Sequence, residues 1–294
     1  MRVTQMMVGD TVRYNLQRSL NRLEKLSNQL STGKVFHRPS DNPVGVNKSM
    51  RYTASIDRNE QYRLNMTECQ GWMDATEYAL LDGISVLQKI RVICLDAAHD
   101  VHTDEDREIM AKEVEELYNH LVGVGNTEFN SLYIFAGHQT LEAPYREVAG
   151  TLTYLGDDGV RNLEISPFQE VTLNLTGNEA FRGTGIFDDV RKILDALHAD
   201  DSAYLGNEGL MSVDSAINDF LDGISTMGAR LKRVEIMQKA LMSENIHLRE
   251  MRSGVEDIDL ALTITEYMMQ ENVHHAALST GARTMMPTLI DYLR

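Results

Sequence analysis

The sequence predicts a mainly α protein with a small antiparallel β insertion. Its helical bundle or coiled coil is discontinuous, formed by the N- and C-terminal segments. Three observations predict this. First, an apolar seam about six heptads long runs through the C-terminal third. Val234, Leu241, Leu248, Val255, Leu262, Met269 and Ala276 recur every seven residues, with Met237, Glu244, Met251, Ile258, Thr265 and Asn272 between them. Ten of these thirteen are apolar, the mark of a helix stripe built to be covered. Second, a shorter stripe of the same kind stands near the other end: Val12, Leu16, Ser19, Leu23, Leu26 and Leu30. Third, the period between them switches from helical to alternating over about 144–175.

The elements follow in order. A first helix is expected from about Gly9 to Ser31, stopped by Thr32-Gly33-Lys34, because glycine tolerates the left-handed residue that ends a helix. A loop, Val35 to Asn42, leads to Ser40 and Asp41 as capping oxygens and Pro43 in an opening turn. Helix then runs to about Val101. Met66, Cys69, Met73, Thr76, Leu80, Gly83, Leu87, Ile90, Cys94, Ala97 and Val101 alternate three and four apart along it. A third helix begins at Thr103, where Thr103 and Asp106 form a capping box and acidic residues suit the helix dipole. Met110, Val114, Leu117, Leu121 and Val124 are its buried stripe, and Gly123 and Gly125 mark its end.

From about Pro144 to Leu175 the alternation predicts an antiparallel sheet of three or more strands, with a turn at Gly156-Asp157-Asp158-Gly159. A short helix is expected around Asp188 to Ala199, then a loop, Gly206 to Gly209. A long helix follows from near Met211, with a break at Ser253-Gly254. The expected domains are terminal segments 1–42 and 254–294, a helical bundle of 43–137 and 186–253, and a small β domain of 138–185.

Composition agrees. Hydrophobic residues make up 43% of 294, enough for a core, while aromatics are 6% and prolines five against sixteen methionines. That balance favours long aliphatic helices. A net charge of −16 argues against nucleic acid and against an anionic membrane surface, since no basic stripe is available for phosphates. No apolar run is long enough to span a bilayer, and residues 1–30 lack the hydrophobic block of a cleaved signal peptide. Taken alone, these facts point to the cytosol.

Little chemistry is legible. His99 and His102 with Asp100, Asp104 and Asp106 could hold a cation, but no further segment supplies converging ligands, and a solvated helix end is the simpler reading. Cys69 and Cys94 lie on one helical seam, too far apart to bridge, and read as buried thiols. Glu256, Asp257 and Asp259 read as a solvated face. No phosphate loop or nucleophile elbow occurs. No metal, cofactor or catalytic residue is assigned, and an enzyme is not expected.

Leu23 through Lys34, followed by Pro39-Ser40-Asp41-Asn42-Pro43-Val44-Gly45, resembles the N-terminal helix and linker of the flagellin superfamily. Arg252 through Ala261 and Pro287 through Arg294 are similar to its C-terminal segment. Together the matches cover most of 1–130 and 210–294. Asn126 through Thr140, with Tyr133-Ile134-Phe135-Ala136-Gly137 at its centre, resembles the hook-associated junction branch more than the flagellins, as do Pro144-Tyr145 and Tyr154 through Gly159. The departures are the two cysteines and Ser131, where a glycine is common.

The resemblance implies a structural subunit of the bacterial flagellum, forming a ring of its own copies between the hook and the filament. It implies four partners: those copies, the first hook-associated protein, flagellin and a flagellar export chaperone. It also implies an extracellular destination reached unfolded through the flagellar type III apparatus, which uses no cleaved signal peptide and so revises the cytosolic reading. The residues expected to carry assembly are Leu16, Leu23, Leu26, Leu30, Leu248, Val255, Ile258, Leu262, Met269, Leu289 and Leu293. Two other readings stand beside this one: a filament subunit of flagellin type, and a helical cytosolic enzyme with an inserted lid.

Overall fold

A computed structural model describes residues 5–99, 103–148 and 150–285. In chain order the elements are α1 Gln5–Thr32, α2 Pro43–Ala97, α3 Asp104–Gly125, β1 Glu128–Phe129, β2 Leu132–Tyr133, β3 Tyr145–Val148, β4 Thr151–Tyr154, β5 Asn162–Ser166, β6 Gln169–Thr172, α4 Gly177–Phe181, α5 Gly185–His198, α6 Ser202–Tyr204, α7 Leu210–Glu256 and α8 Leu260–Met285. The class is therefore mainly α with small antiparallel β elements. The residues group into two compact units. One joins the described residues up to Arg58 with those from Glu244; the other is Asn59–Ser243.

In the Asn59–Ser243 unit, the α2 seam is buried as its spacing requires. Met66, Cys69, Met73, Thr76, Leu80, Gly83, Leu87, Ile90, Cys94 and Ala97 are all buried, and Val101 lies outside the described residues. Packed with them are Val114, Leu121 and Val124 of α3 and Val213, Phe220, Met227, Val234 and Leu241 of α7. Several aromatics gather at one place in this core. Phe181 stacks on Phe187 with centroids 5.3 Å apart, while Phe135, Tyr145 and Phe220 meet Phe181 at 5.0–5.4 Å. Concentrating rings there lets a chain of low aromatic content bury large surfaces where helices and hairpins meet.

The α3 start has the capping box that its sequence predicts: Thr103 and Asp106 exchange side-chain and backbone hydrogen bonds. The β region differs from the expected single sheet. It is three separate antiparallel hairpins, β1–β2, β3–β4 and β5–β6. Alternation marks each strand but not which strands pair, so the sequence could not distinguish one sheet from three ribbons. Helix α4, a short segment after a Thr176–Glu179 capping box, was not anticipated. The expected 206–209 loop is instead a π-helical turn, Leu205–Gly209, running directly into α7.

In the other unit, α1 packs along α8. The helix break expected at Ser253-Gly254 falls later: α7 continues to Glu256 and α8 begins at Leu260. Asp259 explains this position. Its Oδ1 accepts the Leu262 N–H at 3.1 Å and its carbonyl accepts the Thr263 N–H at 2.9 Å, the contacts of a helix N-cap.

Candidate assembly surface

Three features of the terminal unit make up the candidate site. The first is a joint between two chain connections. Lys34 forms an ion pair with Glu256, whose other oxygen accepts the Ser49 hydroxyl at 2.8 Å. The Glu256 carbonyl accepts the Val35 N–H at 2.7 Å, and the Ile258 N–H returns to the Gly33 carbonyl at 3.0 Å. Gly33 has φ +72°, the left-handed conformation that turns the chain out of α1. The Lys34 ammonium, with the Ser49 hydroxyl adding to it, holds the Glu256 carboxyl below its ordinary value.

The second is the inner face of the α1–α8 pair, which on the α8 side is largely polar or small and on the α1 side mainly aliphatic, with Val12, Leu16, Leu23, Leu26 and Leu30 half-buried around Ser19. The buried and half-buried positions of α8 are Thr263, Tyr267, Gln270, His274, Ala277 and Gly281, spaced four and three apart. Buried Ser19 of α1 accepts the Gln270 amide N–H at 3.0 Å and lies 3.1 Å from Nδ1 of His274. A Cβ on Gly281 would fall 2.7 Å from Cγ1 of Val12, so glycine lets the helices approach there.

The third feature follows from the second. Leu262 and Met269, expected within the covered seam, are 58% and 61% exposed, and Leu260, Met268 and Val273 are also exposed. α1 leaves all five more than half exposed. The strict heptad holds through Val234, Leu241 and Leu248, all buried. The interruption at Asp257–Asp259 then shifts the inward register from Val255 to Thr263, eight residues rather than seven, and turns the apolar stripe outward. The Asp259 cap was the signal that could have revealed this shift. Leu16, Leu23, Leu26 and Leu30 of α1 are half-buried, as are Val255 and Ile258, while Leu248 is buried. Leu289 and Leu293 lie outside the described residues.

Between the helices an open groove of about 570 Å³ is lined by Arg22, Lys25 and Leu26 of α1 and by Glu266, Met269 and Val273 of α8. The first 42 residues carry seven Lys or Arg against three Asp or Glu. In a chain of net charge −16, this makes α1 and its linker locally basic.

In the other unit, the two motifs that distinguish the branch touch one another. The His138 N–H donates to Asp157 Oδ1 at 2.6 Å and the Asp157 N–H to the Ala136 carbonyl at 3.3 Å. Tyr154 donates its hydroxyl to the Phe135 carbonyl at 3.0 Å. Gly137 has φ +68°, and a Cβ there would stand 2.1 Å from the Asp157 carbonyl oxygen. The His138 N–H first, and the Gly159 N–H after it, hold the Asp157 carboxyl below its ordinary value. The motif therefore folds a loop, and its residues are occupied by one another. Among the described residues no cluster of three or more His, Cys, Asp or Glu side chains converges, and no helix is long and apolar enough to cross a membrane.

The N-terminal helical region of bacterial flagellins matches residues 3–140. Over 299 residues the chain is 23% identical to flagellar hook-associated protein 3 of Escherichia coli, covering 93% of each. A Bacillus subtilis flagellin is 24% identical over 85% of this chain and 87% of its own length. In fold, the chain is similar to the flagellar junction protein FlgL of Legionella pneumophila, with a TM-score of 0.61 at 17% identity, over 71% of this chain and all of that one.

Proposed function

We propose that this chain, a flagellar structural protein of the hook-associated protein 3 type, forms the junction layer between the hook and the flagellin filament. The observation that carries the reading is similarity to hook-associated protein 3 along 93% of both chains. It is supported by an apolar face on α8 that the chain leaves uncovered: Leu262, Met269 and Val273 are all more than half exposed. Covering such side chains in an assembly is worth about 1.5–3 kcal/mol each, which links completion of the terminal unit to contact with neighbours.

In this reading 1–42 and 254–294 are the assembly segments, and Leu16, Leu23, Leu26, Leu30, Leu248, Val255, Ile258, Leu262, Met269, Leu289 and Leu293 contribute to their packing. The residues 138–185 form an outward β domain. The partners are a ring of further copies, the first hook-associated protein on one side and flagellin on the other. The subunit travels unfolded through the flagellar type III apparatus with a chaperone acting near its C-terminal region, and its place of action is outside the cell. The alternative is a filament subunit, favoured by the near-full-length likeness to flagellins.

Deletion of the gene separates the two. A junction protein predicts hooks without filaments, with a separate flagellin released into the medium. Intact filaments in the deletion strain overturn the proposal. Filaments composed chiefly of this chain in the wild type favour the alternative.

A further inference from the structure

The α1–α8 pair is antiparallel: Val12 stands against Gly281, Ser19 against Gln270 and His274, and Leu26 lines the same groove as Met269. It therefore has two flanks, one on each side of its inner rows. The flank that carries the groove is basic. Arg18, Arg22 and Lys25 of α1 stand there with Glu266 of α8, three cations against one carboxylate. Helical spacing puts a different set on the opposite flank. Glu24 of α1 and Glu271 of α8 lie there, with Arg13, whose charge is met by Asp10 at 3.1 Å. That flank is acidic.

Both flanks are also apolar. Leu262, Met269 and Val273 are more than half exposed on the basic flank, and Leu260, Ile264 and Met268 are 43–58% exposed on the acidic one. Each flank thus offers the other apolar surface and opposite charge. A two-fold contact through the groove would set like against like, with Arg22 and Lys25 facing their own copies, and such juxtaposition opposes association. A contact between unlike flanks joins charge to countercharge. It is also heterologous, so its repetition closes a ring or continues as a helix. We propose that the basic flank of one copy seats the acidic flank of the next, and that this contact links the copies within the junction layer. The contact rests on the junction reading, to which it adds a polarity and the charges that set it.

Charge reversal in the full chain, expressed in a strain deleted for the gene, tests this. Arg22→Glu with Lys25→Glu makes both flanks acidic, and Glu24→Lys with Glu271→Lys makes both basic. Either pair should reduce filament number about tenfold or more, because like charges then meet at every contact. All four substitutions together restore complementarity and should return filaments to near the wild-type number. Filaments at the wild-type number with either pair alone overturn the proposal. So does failure of the quadruple variant when each chain is folded by circular dichroism and is exported. If a reversed chain does not fold, cross-linking decides. Val273→Cys on the basic flank and Met268→Cys on the acidic one, co-expressed as separate chains, should join through a bismaleimide in isolated flagella, while neither alone should; the native Cys69 and Cys94 are buried. Dimers from one variant alone, or none from the two together, overturn the contact. A deletion strain that keeps its filaments rejects the junction reading itself, before any variant is introduced, and the contact falls with it.

Discussion

Lys34 and Glu256, 222 residues apart, form an ion pair that joins the connection after α1 to the end of α7. The carboxylate also serves Ser49, so one side chain ties three segments of the terminal unit together. Because the folded Glu256 titrates below its ordinary value of 4.5, it adds stability above that pH. The contribution is lost as the pH falls through the lower folded value. Glu256→Gln should therefore destabilise the terminal unit by about 1 kcal/mol near neutrality and by progressively less as the pH falls below 4.5. Urea midpoints for the two proteins across this range check it; a gap that does not shrink in acid refutes the assignment.

Leu262→Lys should leave the subunit folded and stop it assembling. Leu262 is 58% exposed, so a charge there meets water in the monomer but desolvation at an interface. Circular dichroism of the purified variant and electron microscopy of cells expressing it give the two readouts. Normal filaments would mean that this face is not an assembly contact.

Amides of α1 should exchange well ahead of those in the middle of α2. The leucines of α1 are only half-buried and its partner face on α8 is polar, whereas Leu80, Leu87, Ile90 and Cys94 are fully buried. Hydrogen exchange on the monomer is the measurement. Protection from Leu16 to Leu30 equal to that of α2 would show that the terminal helices are stable before assembly.

Much of this was legible beforehand, and the division has physical causes. The α2 seam, from Met66 to Ala97, was readable because a helix of many turns repeats one signal until composition noise averages out. The Thr103–Asp106 cap was readable because its chemistry is local. The inward face of α8 was not, since a long apolar heptad outweighed one aspartate. A break of three residues, capped by Asp259, turned that heptad outward. The pairing of β1 through β6 into three ribbons was hidden for the reason that side-chain alternation carries no record of strand partners.

Gly137→Ala should destabilise the Asn59–Ser243 unit by about 3 kcal/mol or more, combining left-handed strain with overlap against a backbone oxygen. Trp72 fluorescence during urea unfolding will report the shift. A midpoint within error of wild type would show that the 136–138 loop yields without cost.

Burial pushes the Cys94 thiol up to about 12 and the Cys69 thiol up to about 11. At pH 8 both should therefore resist a disulfide-exchange reagent in the native protein and react together in guanidinium chloride. Rapid labelling of either thiol without denaturant would contradict the buried placement.

The polar contact of Ser19 with Gln270 and His274 lies on the face of α8 turned toward α1, and Leu262 and Met269 flank that face rather than sharing it. This separation has an evolutionary consequence. The inner set answers only to its own chain, so Ser19, Gln270 and His274 can drift as a matched group while the outer apolar face keeps its neighbours. Exchange of the outer face alone between bacterial species should transfer compatibility, producing hybrid flagella from subunits whose interiors have diverged.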